Sequence, residues 1–483
     1  MSIKHRASSI LICDPDSSFL KSVEDDPRAK QDPPILVTTG KDAQLAIANE
    51  KRDIAAVFVS PEINISGIGP GWISVVRFTH QHRLATPIFL LSQKSSPIEE
   101  DELNKLAVQR ALSKPISYSE MARLVLPESV FFDPDAAPET NEDRKEEIDK
   151  ELTAEDSQFV PVRASTFISG TRSFFDVYIK LKSSKYVKLL QAGDDFSYER
   201  LRGYLEKGVK FFYLKKTAQL QYLSFCDQLT TRMLAEKKVP DKAVIKQTVA
   251  HGEETMSFLR NHGLSQQNIQ YADAYIGNVQ VLTERLKLAD DDALKGFMEN
   301  IASAEHSAAT VIVSGLIARQ MGITSDYAVD VVGIAALLHD IGLYRLMPER
   351  MDEDISLMTP GQKGMYQTHP IIGVKLLSKL PKLHQAAIQA VGQHHERRDE
   401  TGFPMHLGSG AINRVAEIVG ISDEIVRAIA RSKAADKLTL EAAMKPVLGG
   451  FSNVLVEAYQ TVFYSAGYKA KKKKAEPTDG EAA

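Results

Sequence analysis

Thiols and indole are scarce in this chain, whose 483 residues include two cysteines and one tryptophan. Cys13 and Cys226 lie far apart, each inside an apolar segment, so no disulfide framework is implied. Long apolar runs are missing as well. Nothing approaches the roughly 20 consecutive apolar residues of a membrane-crossing helix. Met1-Ser2-Ile3-Lys4-His5-Arg6 leads only into the short run Ile10-Leu11-Ile12-Cys13, which is not a signal-peptide pattern. A cytoplasmic protein with no membrane span is the expectation. An excess of positive charge is also absent: 59 Lys and Arg against 63 Asp and Glu leave a net charge of -4, which argues against a dedicated nucleic-acid binder. What is there is ordinary for globular proteins, with 43% hydrophobic and 25% charged residues. The length predicts several domains.

Residues 8–126 alternate short apolar runs with amphipathic stretches. The runs are Ser9-Ile10-Leu11-Ile12-Cys13, Ile35-Leu36-Val37-Thr38, Ala55-Ala56-Val57-Phe58-Val59 and Pro87-Ile88-Phe89-Leu90-Leu91, with helical segments such as Asp42–Ala48 between them. Such alternation predicts a doubly wound α/β domain over residues 1–126. Residues 127–158 turn to Asp, Glu, Lys, Pro and Ala, too apolar-poor to offset the entropy of ordering, and read as a linker. Residues 159–226 carry strand-like alternation at Val177, Ile179 and Leu181, a helix near Tyr198–Glu206 and a further run at Val209–Leu214, which predicts a small α+β module. From there the pattern is helical: connecting helices over 227–290 and an all-α domain over 291–468. The last segment, 469–483, holds Lys471–Lys474 and reads as a solvated tail.

Histidine is scarce, yet the all-α region collects it. His394 and His395 are adjacent, and side chains about 100° apart on a helix can serve different ions. His339-Asp340 closes the apolar segment Gly333–Leu338, and His306, His369 and Asp423 lie in the same region. Neutral imidazole beside carboxylate suits a borderline divalent metal, so His306, His339, Asp340, His369, His394, His395 and Asp423 are candidate ligands. His251, His262, His384 and His406 follow no such pattern and read as structural or surface residues.

The order and spacing of His306, His339-Asp340, His369-Pro370, His394-His395-Glu396, Gly402-Phe403-Pro404 and Arg414…Asp423 resemble the HD-GYP family, cyclic di-GMP phosphodiesterases of the HD superfamily, over roughly residues 295–435. The resemblance implies an HD-superfamily helical fold and two divalent metal ions. Asp340 would bridge them, and the other six residues would complete their coordination. It also implies hydrolysis of cyclic di-GMP to linear pGpG, with GMP as a further product, in which Asp340 and His339 are catalytic. Iron or manganese is expected, because a set without thiolates does not select zinc. Basic residues beyond the last Asp bind the dinucleotide in that family, which singles out Arg427, Arg431 and Lys433. A rival expectation is a weak or inactive sensor or adaptor, because the family's Lys after His-Asp-x-Gly is Leu343 here, the Asp-Gly step is Asp399-Glu400 and the Tyr of the triplet is Phe403. Ala302 stands where three-metal members carry Glu.

The N-terminal domain resembles a response-regulator receiver through Asp14, Asp16, Ser92 and Lys114-Pro115, but Ser60 stands at the phosphoacceptor position and Pro15 at an acidic one. The resemblance therefore implies a pseudo-receiver that docks signalling partners or forms a homodimer. The 159–226 segment is similar to the small module often found ahead of HD-GYP domains.

Overall fold

The computed structural model describes residues 9–125 and 151–464, apart from 31, 50–53, 64–70, 83–85, 87, 94–105, 107, 109, 166, 168–172, 174, 192–197, 287, 289–290, 348–354 and 432–436. Most of the expected linker and the whole of the 469–483 tail lie outside the described residues. The chain divides into two compact units, Met1–Val239 and Pro240–Ala483.

In the first unit, β1 (Ser9–Cys13), β2 (Ile35–Val37), β3 (Ile54–Val59), β4 (Ile88–Gln93) and β5 (Arg110–Lys114) form a parallel sheet in the order β2-β1-β3-β4-β5. That is the order of flavodoxin-like doubly wound folds. Successive residues of β1, β3 and β4 point to opposite faces, so the apolar runs feed two cores. Ile10, Ile12, Phe58, Phe89 and Leu91 pack with Phe19 and Val23 of α1 (Ser17–Glu24) and Met121 of α4 (Tyr118–Val125). Leu11, Cys13, Val57, Val59 and Leu90 pack with Ile47 of α2 (Gly40–Ala48) and Trp72 and Val76 of α3 (Gly71–His82). Burial on both faces explains why these strands read as continuous apolar runs.

The small module is a second sheet, β6-β9-β8-β10-β7, built from β6 (Glu151–Thr153), β7 (Phe159–Arg163), β8 (Val177–Lys182), β9 (Lys185–Leu190) and β10 (Phe211–Lys215) with α5 (Tyr198–Glu206). The stretch assigned to the linker up to residue 158 thus already contains a strand. Leu152 of β6 pairs with Tyr186, so backbone pairing orders a segment whose composition is polar. Helix α6 (Gln219–Ala235) runs across residue 226, where the module was expected to end. Its Tyr222, Phe225, Cys226 and Leu229 complete the module's core.

The second unit contains α7 (Asp241–His262), α8 (Gln266–Arg285), α9 (Asp291–Ser303), α10 (His306–Gln320), α11 (Asp326–Leu338), α12 (Ile341–Leu346), α13 (Pro360–Leu377), α14 (Gln385–Gln393), α15 (Arg414–Arg431), α16 (Lys437–Met444) and α17 (Asn453–Tyr464). Helix α10 packs against α7, α8, α11, α15 and α17. It is buried nearly all round, as its almost uniformly apolar sequence requires. The stretch Asp326–Leu346 is, against the expectation from sequence, long and apolar enough to cross a membrane by composition. It is two helices broken at His339-Asp340, and 72% of its apolar window is buried inside the unit.

Candidate metal centre

Three of the histidines are presented by carbonyls that a helix leaves free. His339 follows the last residue of α11, and its Nδ1 lies 2.7 Å from Ala336 O. His394 caps α14, and its Nδ1 lies 2.7 Å from Val391 O. Carbonyls in the last turn of a helix have no N–H partner further along it. His369 sits inside α13 and finds the same partner by another route. Pro370 has no N–H to give to Tyr366 O four residues back, and His369 Nδ1 takes that carbonyl at 2.6 Å. With Nδ1–H donating to backbone in each case, Nε2 keeps its lone pair and points inward.

Those lone pairs converge on two carboxylates. Asp340 Oδ1 lies 3.1 Å from His369 Nε2 and 3.8 Å from His394 Nε2. Its Oδ2 lies 3.3 Å from His339 Nε2 and 3.8 Å from His306 Nε2. Asp423, in the middle of α15, has Oδ1 2.7 Å from His306 Nε2 and Oδ2 3.9 Å from His395 Nδ1. The seven candidate ligands therefore come together as two groups: Asp340, His369, His394 and His395, and His306, His339 and Asp423. Within each group, one ligand atom per residue lies within 4.8 Å of the others.

The residues fit a metal. His339 Nε2, Asp340 Oδ1 and Asp423 Oδ2 are buried without a hydrogen-bond partner, a costly arrangement for polar atoms unless a cation satisfies them. His369 and His394 bring their Nε2 atoms to 3.2 Å with both Nδ1 protons already committed, so two lone pairs face each other. Burial pushes His394 down to about 4 and His395 well below its ordinary value, so both imidazoles are neutral donors at pH 7.

Residues 297–448 match the HD domain family. This region is an HD domain. The chain is 31% identical over 133 residues to the cyclic di-GMP phosphodiesterase response regulator RpfG of Xanthomonas campestris, covering 27% of this chain and 35% of that protein. It is 30% identical over 152 residues to the cyclic di-GMP phosphodiesterase of Thermotoga maritima, covering 30% and 41%. It is 32% identical over 121 residues to the 3'3'-cGAMP-specific phosphodiesterase 3 of Vibrio cholerae, covering 25% and 26%. An HD-GYP-like protein fits these matches, and the chain spans less than half the length of each of these relatives.

A cleft of about 310 Å³ opens on the HD domain's histidine cluster at His395, and Lys363, Arg397, Arg427 and Arg431 line it together with Tyr366 and Phe403. Arg431 is thus on the wall of the cleft, while Lys433 lies outside the described residues. Arg427 sits deeper, its Nε 2.6 Å from Asp423 Oδ1 and its Nη2 3.1 Å from Asp340 Oδ2. Leu343 is buried with Met347, Met358 and Tyr366, and Phe403 packs against that cluster.

Tyr366, Lys363 and Arg397 were not singled out for these roles by sequence. Tyr366 had a signal: it lies three residues before His369, on the same helix face. Lys363 and Arg397 had none, because the cleft is assembled from α13, the segment after α14, and α15. Gly342 and Gly420 mark close approaches, since a Cβ at either would run into the backbone carbonyl of His369 or His394, respectively.

Proposed function

We propose that the HD domain is a metal-dependent phosphodiesterase that hydrolyses cyclic di-GMP to linear pGpG and onward to GMP. The observation that carries this reading is the juxtaposition of a cation-lined cleft with the buried, partnerless oxygens and imidazole nitrogens of the cluster. A divalent ion, iron or manganese by the thiolate-free donor set, would be held by Asp340, His369, His394 and His395, and would supply hydroxide at neutral pH and polarise a phosphoryl oxygen. Lys363, Arg397 and Arg431 would bind the phosphates of a dinucleotide, and Phe403 offers an aromatic face beside them. Hydrolysis adds water across one phosphodiester: the water oxygen bonds to phosphorus, the bond to the ribose 3'-oxygen breaks, and that oxygen gains a proton. Asp340 and His339 are the residues whose loss should abolish turnover.

Purified chain loaded with iron or manganese should convert cyclic di-GMP to linear product, and the His339→Ala, Asp340→Ala double variant should not. Unchanged substrate under every metal condition would overturn the reading. The panel should include 3'3'-cGAMP, because the relatives' names divide between the two cyclic dinucleotides.

A second reading, a cyclic dinucleotide sensor or adaptor without turnover, is favoured by the burial of Leu343, which is 1% exposed in an apolar cluster and supplies no cation to the cleft. Calorimetry showing binding without product would support it. In either case the N-terminal domain would act as a pseudo-receiver that docks a signalling partner or a second copy. Ser60 is fully buried at its expected phosphoacceptor position, and Lys114 Nζ is already paired with Asp14 at 2.8 Å.

A further inference from the structure

We propose that the guanidinium of Arg427 takes the place of a second metal ion, so that this centre holds a single resident cation, in the Asp340, His369, His394 and His395 group. The proposal rests on metal binding as read above and departs from the two ions expected from the sequence.

The two carboxylates are used asymmetrically. Asp340 Oδ2 and Asp423 Oδ1 are the oxygens that face His339 and His306, and both are taken by Arg427, at 3.1 Å through Nη2 and at 2.6 Å through Nε. Asp340 Oδ1 and Asp423 Oδ2 are the oxygens left without a hydrogen-bond partner. One oxygen of each acid is therefore committed to the guanidinium, and the other stays available to a cation. His306 approaches one of the same oxygens, its Nε2 2.7 Å from Asp423 Oδ1.

Charge favours this division. Arg427 lies one helical turn beyond Asp423 on α15, its side chain is 11% exposed, and its guanidinium keeps its charge at every accessible pH. A divalent ion placed among His306, His339 and Asp423 would meet that fixed positive charge at short range and in a buried setting, where repulsion is least screened. In the group around Asp340 Oδ1 the guanidinium reaches only the far oxygen, Oδ2, at 3.1 Å, and the His369 and His394 Nε2 atoms face each other across 3.2 Å.

Full-length protein would be loaded with excess manganese(II), freed of unbound metal by gel filtration, and assayed for metal per chain and for its electron paramagnetic resonance spectrum. The expected result is one ion per chain with the hyperfine pattern of an isolated ion. His306→Ala should keep that ion, and His369→Ala should lose it. Arg427→Ala and Arg427→Met, the second preserving the packing of the side-chain stem, should bind twice as much metal and show the spectrum of a coupled pair. Two ions in the unaltered protein would overturn the proposal, as would a single ion persisting in both folded Arg427 variants. No bound metal at all would overturn the metal reading itself, and the proposal with it.

Discussion

The Tyr366 hydroxyl lies 3.1 Å from His395 Nε2, and Phe403 stacks on the same imidazole at 4.4 Å between ring centroids. Burial pushes the Tyr366 hydroxyl above its ordinary pKa, so it stays neutral. When Nε2–H donates to the Tyr366 oxygen, Nδ1 is left as a lone pair turned towards Asp423. Outer hydrogen bonds of this kind orient a ligand and raise its basicity. Tyr366→Phe should therefore weaken metal binding by roughly 10-fold while the fold persists. Competition with a chelator measures it, and unchanged affinity would remove Tyr366 from this role.

Glu396 is 2% exposed, and its two oxygens accept from Met405 N at 2.7 Å and Leu407 N at 2.8 Å. This one carboxylate pins the segment that carries Phe403. Hydrogen bonds to a charged group contribute about 1.5–3 kcal/mol each. Glu396→Ala should lower the protection of the Met405 and Leu407 amides against hydrogen exchange by about 100-fold, corresponding to about 3 kcal/mol of local opening free energy. Protection unchanged in the variant would show that the loop is held by other contacts.

His251 is buried in α7 beneath the Tyr275 ring, and burial lowers its pKa to about 3. The unfolded chain takes up this proton near pH 6.5, whereas the folded one does not until about pH 3, so stability falls as the pH drops through that window. Between pH 6.5 and 5 the loss should be about 2 kcal/mol. Glu254 works in the opposite direction, because burial raises its carboxyl pKa and stability falls as the pH rises above the ordinary Glu value. Comparing denaturation of the unaltered protein with His251→Gln isolates the histidine. Parallel pH profiles for the two proteins would contradict the assignment.

In the N-terminal domain, Lys114 pairs with Asp14, Glu62 accepts a hydrogen bond from Gln93 Nε2 at 2.8 Å, and Ser60 is buried. A serine hydroxyl cannot form the acyl phosphate on which receivers depend. Acetyl phosphate with Mg²⁺ should leave the intact mass, the oligomeric state and the rate unchanged. A phosphorylated Asp14, Asp16 or Glu62 with an altered oligomeric state would refute this.

The cluster of candidate ligands was legible in the sequence because its members are chemically unusual: adjacent histidines and a His-Asp step after an apolar helix have few other uses. The doubly wound sheet was legible because strands buried on both faces must be apolar along their buried length, and Ile10–Cys13, Ile54–Val59 and Ile88–Leu91 are. Strand β6 was not, since backbone pairing with β9 orders it whatever its composition. Only the tertiary structure placed a fixed cation against the cluster. Arg427 is singled out in sequence as a dinucleotide-binding cation, and it becomes a partner of both Asp340 and Asp423 only when the α11–α12 break is laid against α15. The cleft, Tyr366 behind His395, and the burial of Leu343 depend on the same packing of α13 and α15 around that break. Sequence pattern specifies which face of an element is buried, but not which residue of a distant element will meet it.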